Sequence, residues 1–149
     1  MSVQQKITTC LWFEDNAEKA ANHYVSIFKN SRIVSATPVL TVFELEGQRF
    51  TALNGRPPKF KFNESISLSV SCETQAEIDG LWQKLSSGGE ESRCGWLKDQ
   101  FGVSWQIVPA SLGELLFGKD REGSERAMKA LLEMNKLDID RLQQAYRGT

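Results

Sequence analysis

Gln106 sits at the centre of FGVSWQIVP, residues 101–109, an apolar stretch that starts after a glycine turn and stops at a proline. Val103, Trp105 and Ile107 alternate there with Ser104, Gln106 and Val108, which is the period of a strand. A carboxylate at that position would suggest a metal ligand or a general base. An amide is neutral and binds metal only weakly. Other chemistry-bearing types are sparse. His23 is the only histidine, and the three cysteines, Cys10, Cys72 and Cys94, form no CxxC pair. They read as reduced thiols of a cytoplasmic protein, and a zinc site of the common His/Cys types is poorly supplied. Cys10 reads as a small buried hydrophobe, with no evident base near it in the chain. His23 reads as a solvent-facing helix residue, and Asp99 as a carboxylate that shapes the turn before Gly102. Glu44 and Glu46 read as solvated. Arg56, Lys59 and Lys61 make a cationic loop, either plainly exposed or a site for anionic substrates.

These residues need a scaffold. A chain of 149 residues supports one domain with a real core, or two fused small modules. Its formal charge of −1 shows no basic excess of the kind nucleic-acid binders carry. No apolar run is long enough to cross a membrane, and MSVQQKITTC has no signal-peptide core. Partners in either class are not expected.

Ile7 to Phe13 reads as a strand, and Asp15 or Asn16 can cap a helix from Ala17 to Phe28. Strands are expected over 32–37, 40–46 and 49–54, with Glu46-Gly47-Gln48 as a hairpin turn. GRPPKFKFNE, residues 55–64, is a loop. The pattern then restarts. SISLSVS, residues 65–71, alternates strictly. A helix over about 75–86 opens at Glu73 or Thr74 and closes at Ser87-Gly88-Gly89. One or two strands fall within 91–98, and the opening stretch is the last strand. The chain thus holds two β-α-β-β-β copies offset by about 56 residues, spanning 7–55 and 64–109 within a domain of residues 1–110. Residues 111–149 form a helical extension. Helices over 124–134 and 138–146 have Ser124 and Asp138 as candidate caps. Their apolar residues need a partner surface, either the sheets' helical layer or another subunit.

Paired βαβββ modules of this length resemble the vicinal oxygen chelate superfamily, which includes glyoxalase I, extradiol dioxygenases and bleomycin-resistance proteins. TTCLWFEDNAEKAANHY, FELEGQRFTALNG, FNESISLSV and CGWLKDQFGVSWQIVP look more closely like its PhnB-like branch, which carries the domain label 3-demethylubiquinone-9 3-methyltransferase. The resemblance implies an α+β fold in which two βαβββ modules form a curved mixed-sheet cup, and a homodimer. It also implies where metal ligands would stand. Carried over position by position, they fall on Thr8, Thr51, Ser65 and Gln106. That set holds no carboxylate, imidazole or thiolate and offers a divalent ion only weak neutral oxygens. A slip of one residue would turn each side chain to the other face. A slip of two would offer Cys10, Ser67, Leu53, Asn54 or Val108, and none of these rebuilds a metal site.

Alternation then assigns the cup lining. Thr8, Cys10 and Trp12 share a face, as do Ser65, Ser67 and Ser69, and Ser104, Gln106 and Val108. Leu11, Phe13, Ile66, Leu68, Val70, Val103, Trp105 and Ile107 face the helices. Trp12 and Trp96 are pocket walls or dimer contacts. The expectation is a small-molecule-binding protein with a metal-free cup, no cofactor, and ligand-binding residues Thr8, Cys10, Trp12, Thr51, Ser65, Ser67, Trp96 and Gln106. The alternatives are a metal-dependent lyase, isomerase or dioxygenase, using residues such as Glu44 with His23, or a drug-sequestering resistance protein. Basic drugs would call for an acidic cup, and few cup acids are evident. Common methyltransferases place a glycine-rich turn after the first strand of a doubly wound sheet. Here the only Gly-Gly, Gly88-Gly89, follows a helix, so methyl transfer of that type is not expected.

Overall fold

A computed structural model describes residues 5–55 and 59–149. The chain forms two compact units, Met1–Lys61 and Phe62–Thr149. The first contains β1 (Thr9–Phe13), α1 (Ala17–Ile27), β2 (Arg32–Ala36), β3 (Leu40–Leu45) and β4 (Gln48–Asn54). Its sheet runs β1-β4-β3-β2, with β1 parallel to β4 and the remaining pairs antiparallel. The β3–β4 hairpin turns at Glu46 and Gly47, both at positive φ. One face of the sheet, with Leu11, Phe13, Phe43, Phe50 and Ala52, is buried along with Ala17, Ala20, Ala21 and Tyr24 of α1. Asn16 begins α1 without a side-chain cap, and Asn54 at the end of β4 supplies the missing acceptor, its Oδ1 taking the Ala17 N–H at 2.9 Å.

The second unit repeats this order. It holds β5 (Ser67–Cys72), α2 (Gln75–Ser86), β6 (Glu90–Glu91), β7 (Trp96–Lys98) and β8 (Ser104–Pro109), in a sheet ordered β5-β8-β7-β6 with β5 parallel to β8. Leu97, Val103, Trp105 and Ile107 are buried with Ile78, Leu81, Trp82 and Leu85 of α2. Thr74 caps α2 by accepting the Glu77 N–H. Asp99 folds the β7–β8 turn: Oδ1 accepts from the Phe101 and Val103 amides, and Oδ2 from the Trp105 indole at 2.9 Å. The expected turn role of Asp99 is therefore observed.

The remaining helices are α3 (Leu112–Phe117), α4 (Arg121–Leu132) and α5 (Ile139–Arg147). Asp120 caps α4, not Ser124, whose side chain is buried inside the helix. Leu115, Ala127, Leu131, Met134, Leu137 and Leu142 form their core, with Val108 and Cys94 packed against it. The α4–α5 connection is sewn to the second module. Cys94 and Gly95 donate their amides to Met134 and Asn135 carbonyls, and the Gln75 side chain bonds both Leu137 O and Ile139 N. The extension thus finds its partner surface at the end of the second sheet, around Val108. Neither sheet is doubly wound, and Gly88-Gly89 stands at the end of α2.

Candidate functional site

Each sheet has a second face that its helix does not cover. On the first, Cys10 and Thr51 are register partners, as are Trp12 and Leu53. Thr8 precedes β1 and is half-buried. Cys10 is exposed, not buried as expected, because alternation places it opposite Leu11 and Phe13. Trp12 is 41% exposed. Its indole lies close against Gly55, where any Cβ would overlap the ring, and it meets the Phe60 ring in a T-shaped contact at 5.0 Å. These contacts hold the Trp12 side chain against Gly55 and Phe60. Arg32, Glu44 and Arg49 are register partners across β2, β3 and β4. Glu44 is not simply solvated: it accepts from Arg32 at 2.8 Å and from Arg49 at 3.3 Å. The Arg32 hydrogen bond lowers its pKa against the opposing pull of desolvation, and Arg49 adds to the lowering. His23 is on α1, away from this face. Lys59 and Lys61 are exposed, and Arg56 lies outside the described residues.

On the second sheet, Ser67, Ser69, Ser104, Gln106, Trp96 and Lys98 share the face opposite α2. Gln106 is half-buried, and its Nε2 donates to Ser67 Oγ at 2.9 Å. Trp96 is its neighbour across β7–β8. The amide at the centre of that strand therefore belongs to a polar network on an otherwise small-residue surface. Val108 does not continue this surface, since the helical extension packs against it.

Ser65 departs from expectation. It lies in a turn before β5, exposed, its amide and hydroxyl both bonded to Asn63 Oδ1. Ile66, expected in the core, is 72% exposed for the same reason: the strand begins one residue later. The Asn63 acceptor stops the alternating pattern from extending into SISLSVS at its first two residues.

Lys98, Glu90 and Glu64 were not singled out by their sequence, whereas alternation had already assigned Ser104 to the cup lining. They line a cavity of ≈ 330 Å³ with Trp96 and Glu91. Lys98 pairs with Glu64, and Trp82 donates its indole N–H to Glu91. The one sequence signal was the period placing Lys98 on the same face as Trp96. Glu90 lies on a strand of only two residues, too short to show alternation. The sequence suggested few cup acids, and Glu64 and Glu90 stand beside this cavity.

A divalent ion does not fit the carried-over positions. Thr8, Thr51 and Ser65 offer hydroxyls and Gln106 an amide, and Ser65 has left the strand. No group of three or more His, Cys, Asp or Glu side chains with metal-holding geometry occurs among the described residues. No helix among them is long and apolar enough to cross a membrane.

Residues 5–108 match the family model described as 3-demethylubiquinone-9 3-methyltransferase. No curated protein matches the chain. Among solved structures, it is similar to the PhnB protein from Bacillus cereus, which shares that methyltransferase name, at 38% identity and a TM-score of 0.67 over 71% of this chain and 100% of that one. Protein PA1353 from Pseudomonas aeruginosa matches at 18% identity and a TM-score of 0.59, over 71% and 98% of the two chains. The fosfomycin resistance protein FosX from Listeria monocytogenes, solved with manganese(II) and sulfate, matches at 13% identity and a TM-score of 0.56, over 76% and 95%. These last two carry the fold alone.

Proposed function

The chain belongs to the family labelled 3-demethylubiquinone-9 3-methyltransferase, in its PhnB-like form within the vicinal oxygen chelate superfamily, and on that premise we propose that it binds a small organic molecule without a resident metal. The observation that carries this reading is the chemistry of the faces opposite the helices. Serine, threonine and glutamine stand where the superfamily's ligands would, and tryptophans flank them: Trp12 beside the Cys10–Thr51 row, Trp96 beside Gln106. Small polar groups beside aromatic walls orient an organic ligand. They leave a cation undersupplied with charge. Methyl transfer has no support in the residues, since the glycine-rich nucleotide turn of the common methyltransferases is missing among the described elements. A homodimer in the cytoplasm completes the proposal, supported by exposed apolar side chains such as Ile66 and Phe117. Light scattering on the eluting protein gives the assembly state directly.

The test is elemental analysis of untagged protein by plasma mass spectrometry, before and after incubation with Zn, Mn, Ni and Fe(II). Metal well below one equivalent throughout is the expected result. A stoichiometric metal would overturn the metal-free reading and bring the lyase, isomerase or dioxygenase class forward. Ligand binding is followed by amide shifts of Ser67 and Gln106 in a fragment screen.

A further inference from the structure

Glu90, Lys98 and Ser104 are successive register partners across β6, β7 and β8, so their side chains leave the same face of the second sheet. They line the ≈ 330 Å³ cavity with Trp96, Glu64 and Glu91. The charge in its wall does not balance: Glu64 and Glu90 face one ammonium, while the Glu91 side chain, beside its register partner Leu97, turns to the α2 side. Lys98 is committed to Glu64, and Glu91 already accepts the Trp82 indole N–H. Glu90 forms no direct ion pair among the described residues, and only the longer-range charge of its register partner Lys98 reaches it. Independently of the acids, Ser104 is 1% exposed, and its Oγ has no hydrogen-bond partner among the described residues. A buried hydroxyl is destabilising until something bonds it. The aromatic face of Trp96, in the same wall, attracts cations.

We propose that this cavity binds an organic amine, with its ammonium at Glu90 beside the Trp96 ring and a hydroxyl or carbonyl at its far end bonded to Ser104. The proposal rests on the small-molecule reading above and adds the ligand's charge and length. Charge follows from the surplus of carboxylates. An anion would meet a net negative wall and only an ammonium already paired. Length follows from the sheet. Glu90 and Ser104 stand two strands apart, about 10 Å between main chains, which the Glu90 side chain shortens. A ligand with its polar ends about 8 Å apart spans that gap.

The experiment uses the full chain and three matched probes at pH 7: tyramine, its neutral counterpart tyrosol, and the anion 3-(4-hydroxyphenyl)propionate. Binding is read by calorimetry and by NMR shifts of the Trp96 indole N–H and the Ser104 amide. Tyramine is expected to move both signals and to bind at least about tenfold more tightly than either counterpart. Glu90→Gln should remove about tenfold of that affinity. Ser104→Ala should reduce tyramine to the affinity of phenethylamine, which lacks the hydroxyl. If tyrosol or the propionate binds as tightly at these signals, the amine assignment is overturned and the small-molecule reading stands. Silence from all three probes also overturns it. The broader reading falls too only if a mixed neutral fragment set leaves Ser67 and Gln106 unmoved.

Discussion

Cys72 and Cys10 show how one residue type takes opposite character from the face it occupies. Cys72 is buried at the end of β5, and burial, with the Glu77 charge as a lesser cause, pushes its thiol up to about 11. Cys10 is exposed on the far side of its own sheet. Thiol reagents act on the thiolate, so at pH 8 the native protein should label at Cys10 first. Cys72 should label only after denaturation. Mass spectrometry of peptides from a timed labelling reaction reads the order, and early labelling of Cys72 would contradict its burial. Glu44 gives a second check. Its pKa is held below the usual 4.5, first by Arg32. A lowered folded pKa contributes stability that is whole above the unfolded value and is lost as pH falls through the folded one. Glu44→Gln should therefore flatten the acid side of the stability curve and leave its neutral region little changed, as urea unfolding from pH 3 to pH 7 would show. A mutant curve as steep as the parent's would place the acid sensitivity elsewhere. Alternation made the faces legible at this scale, down to the Ser67 and Gln106 side. It could not reveal that Asn63 would take Ser65 out of the strand, because a competing side-chain acceptor leaves no periodic trace.

Elements are held by a few joints whose failure should be local and measurable. Asp99 satisfies two amides and one indole inside the β7–β8 turn. Asp99→Ala would strand buried donors, and a loss of about 2–4 kcal/mol is expected by chemical denaturation. Gly95 is the tighter joint. It sits at φ +84, and an added Cβ would lie 2.9 Å from the Ile107 carbonyl and 3.0 Å from Leu137 Cδ1. Gly95→Ala should cost about 1–3 kcal/mol from backbone strain alone. It should also loosen the α4–α5 connection, which hydrogen exchange at Gly95 and Ile139 would report; unchanged protection there would refute the joint. The sequence disclosed the helices, since apolar spacing repeats over several turns. It placed the α4 cap at Ser124 because hydroxyl and carboxylate are both good caps, and only packing decided for Asp120. The two-residue β6 was beyond any periodic signal.

At the scale of the molecule, the two modules share strand order and pairing sense, so the repeat read from the sequence is a repeat of topology. The matched PhnB protein is covered in full by 71% of this chain, and the family model matches residues 5–108, short of the helical extension. The second module has nonetheless adapted to it. Removing residues 111–149 would uncover Val108, strip the partners from the Cys94 and Gly95 amides, and take Leu137 and Ile139 from the Gln75 side chain, leaving it only Asp79. The truncated chain should melt at least several degrees lower or precipitate, by thermal scan. A truncated chain as stable as the whole would make the extension an appendage. The partner surface for these helices was invisible in the sequence because Val108 reads equally well as the end of a ligand-binding face.

The parallel pairing of β1 with β4 has a consequence for synthesis. The first strand of the module is completed by its last: Thr9 pairs with Phe50. At 5–20 residues per second, β1 would wait roughly 2–8 s after translation before its neighbour exists. Through that interval Leu11 and Phe13 have no sheet to join. The ribosome would thus hold an adhesive, unpaired strand, and after release β5 could claim the edge that belongs to β1. Fidelity of folding then depends on each module closing before its twin competes for the same edge.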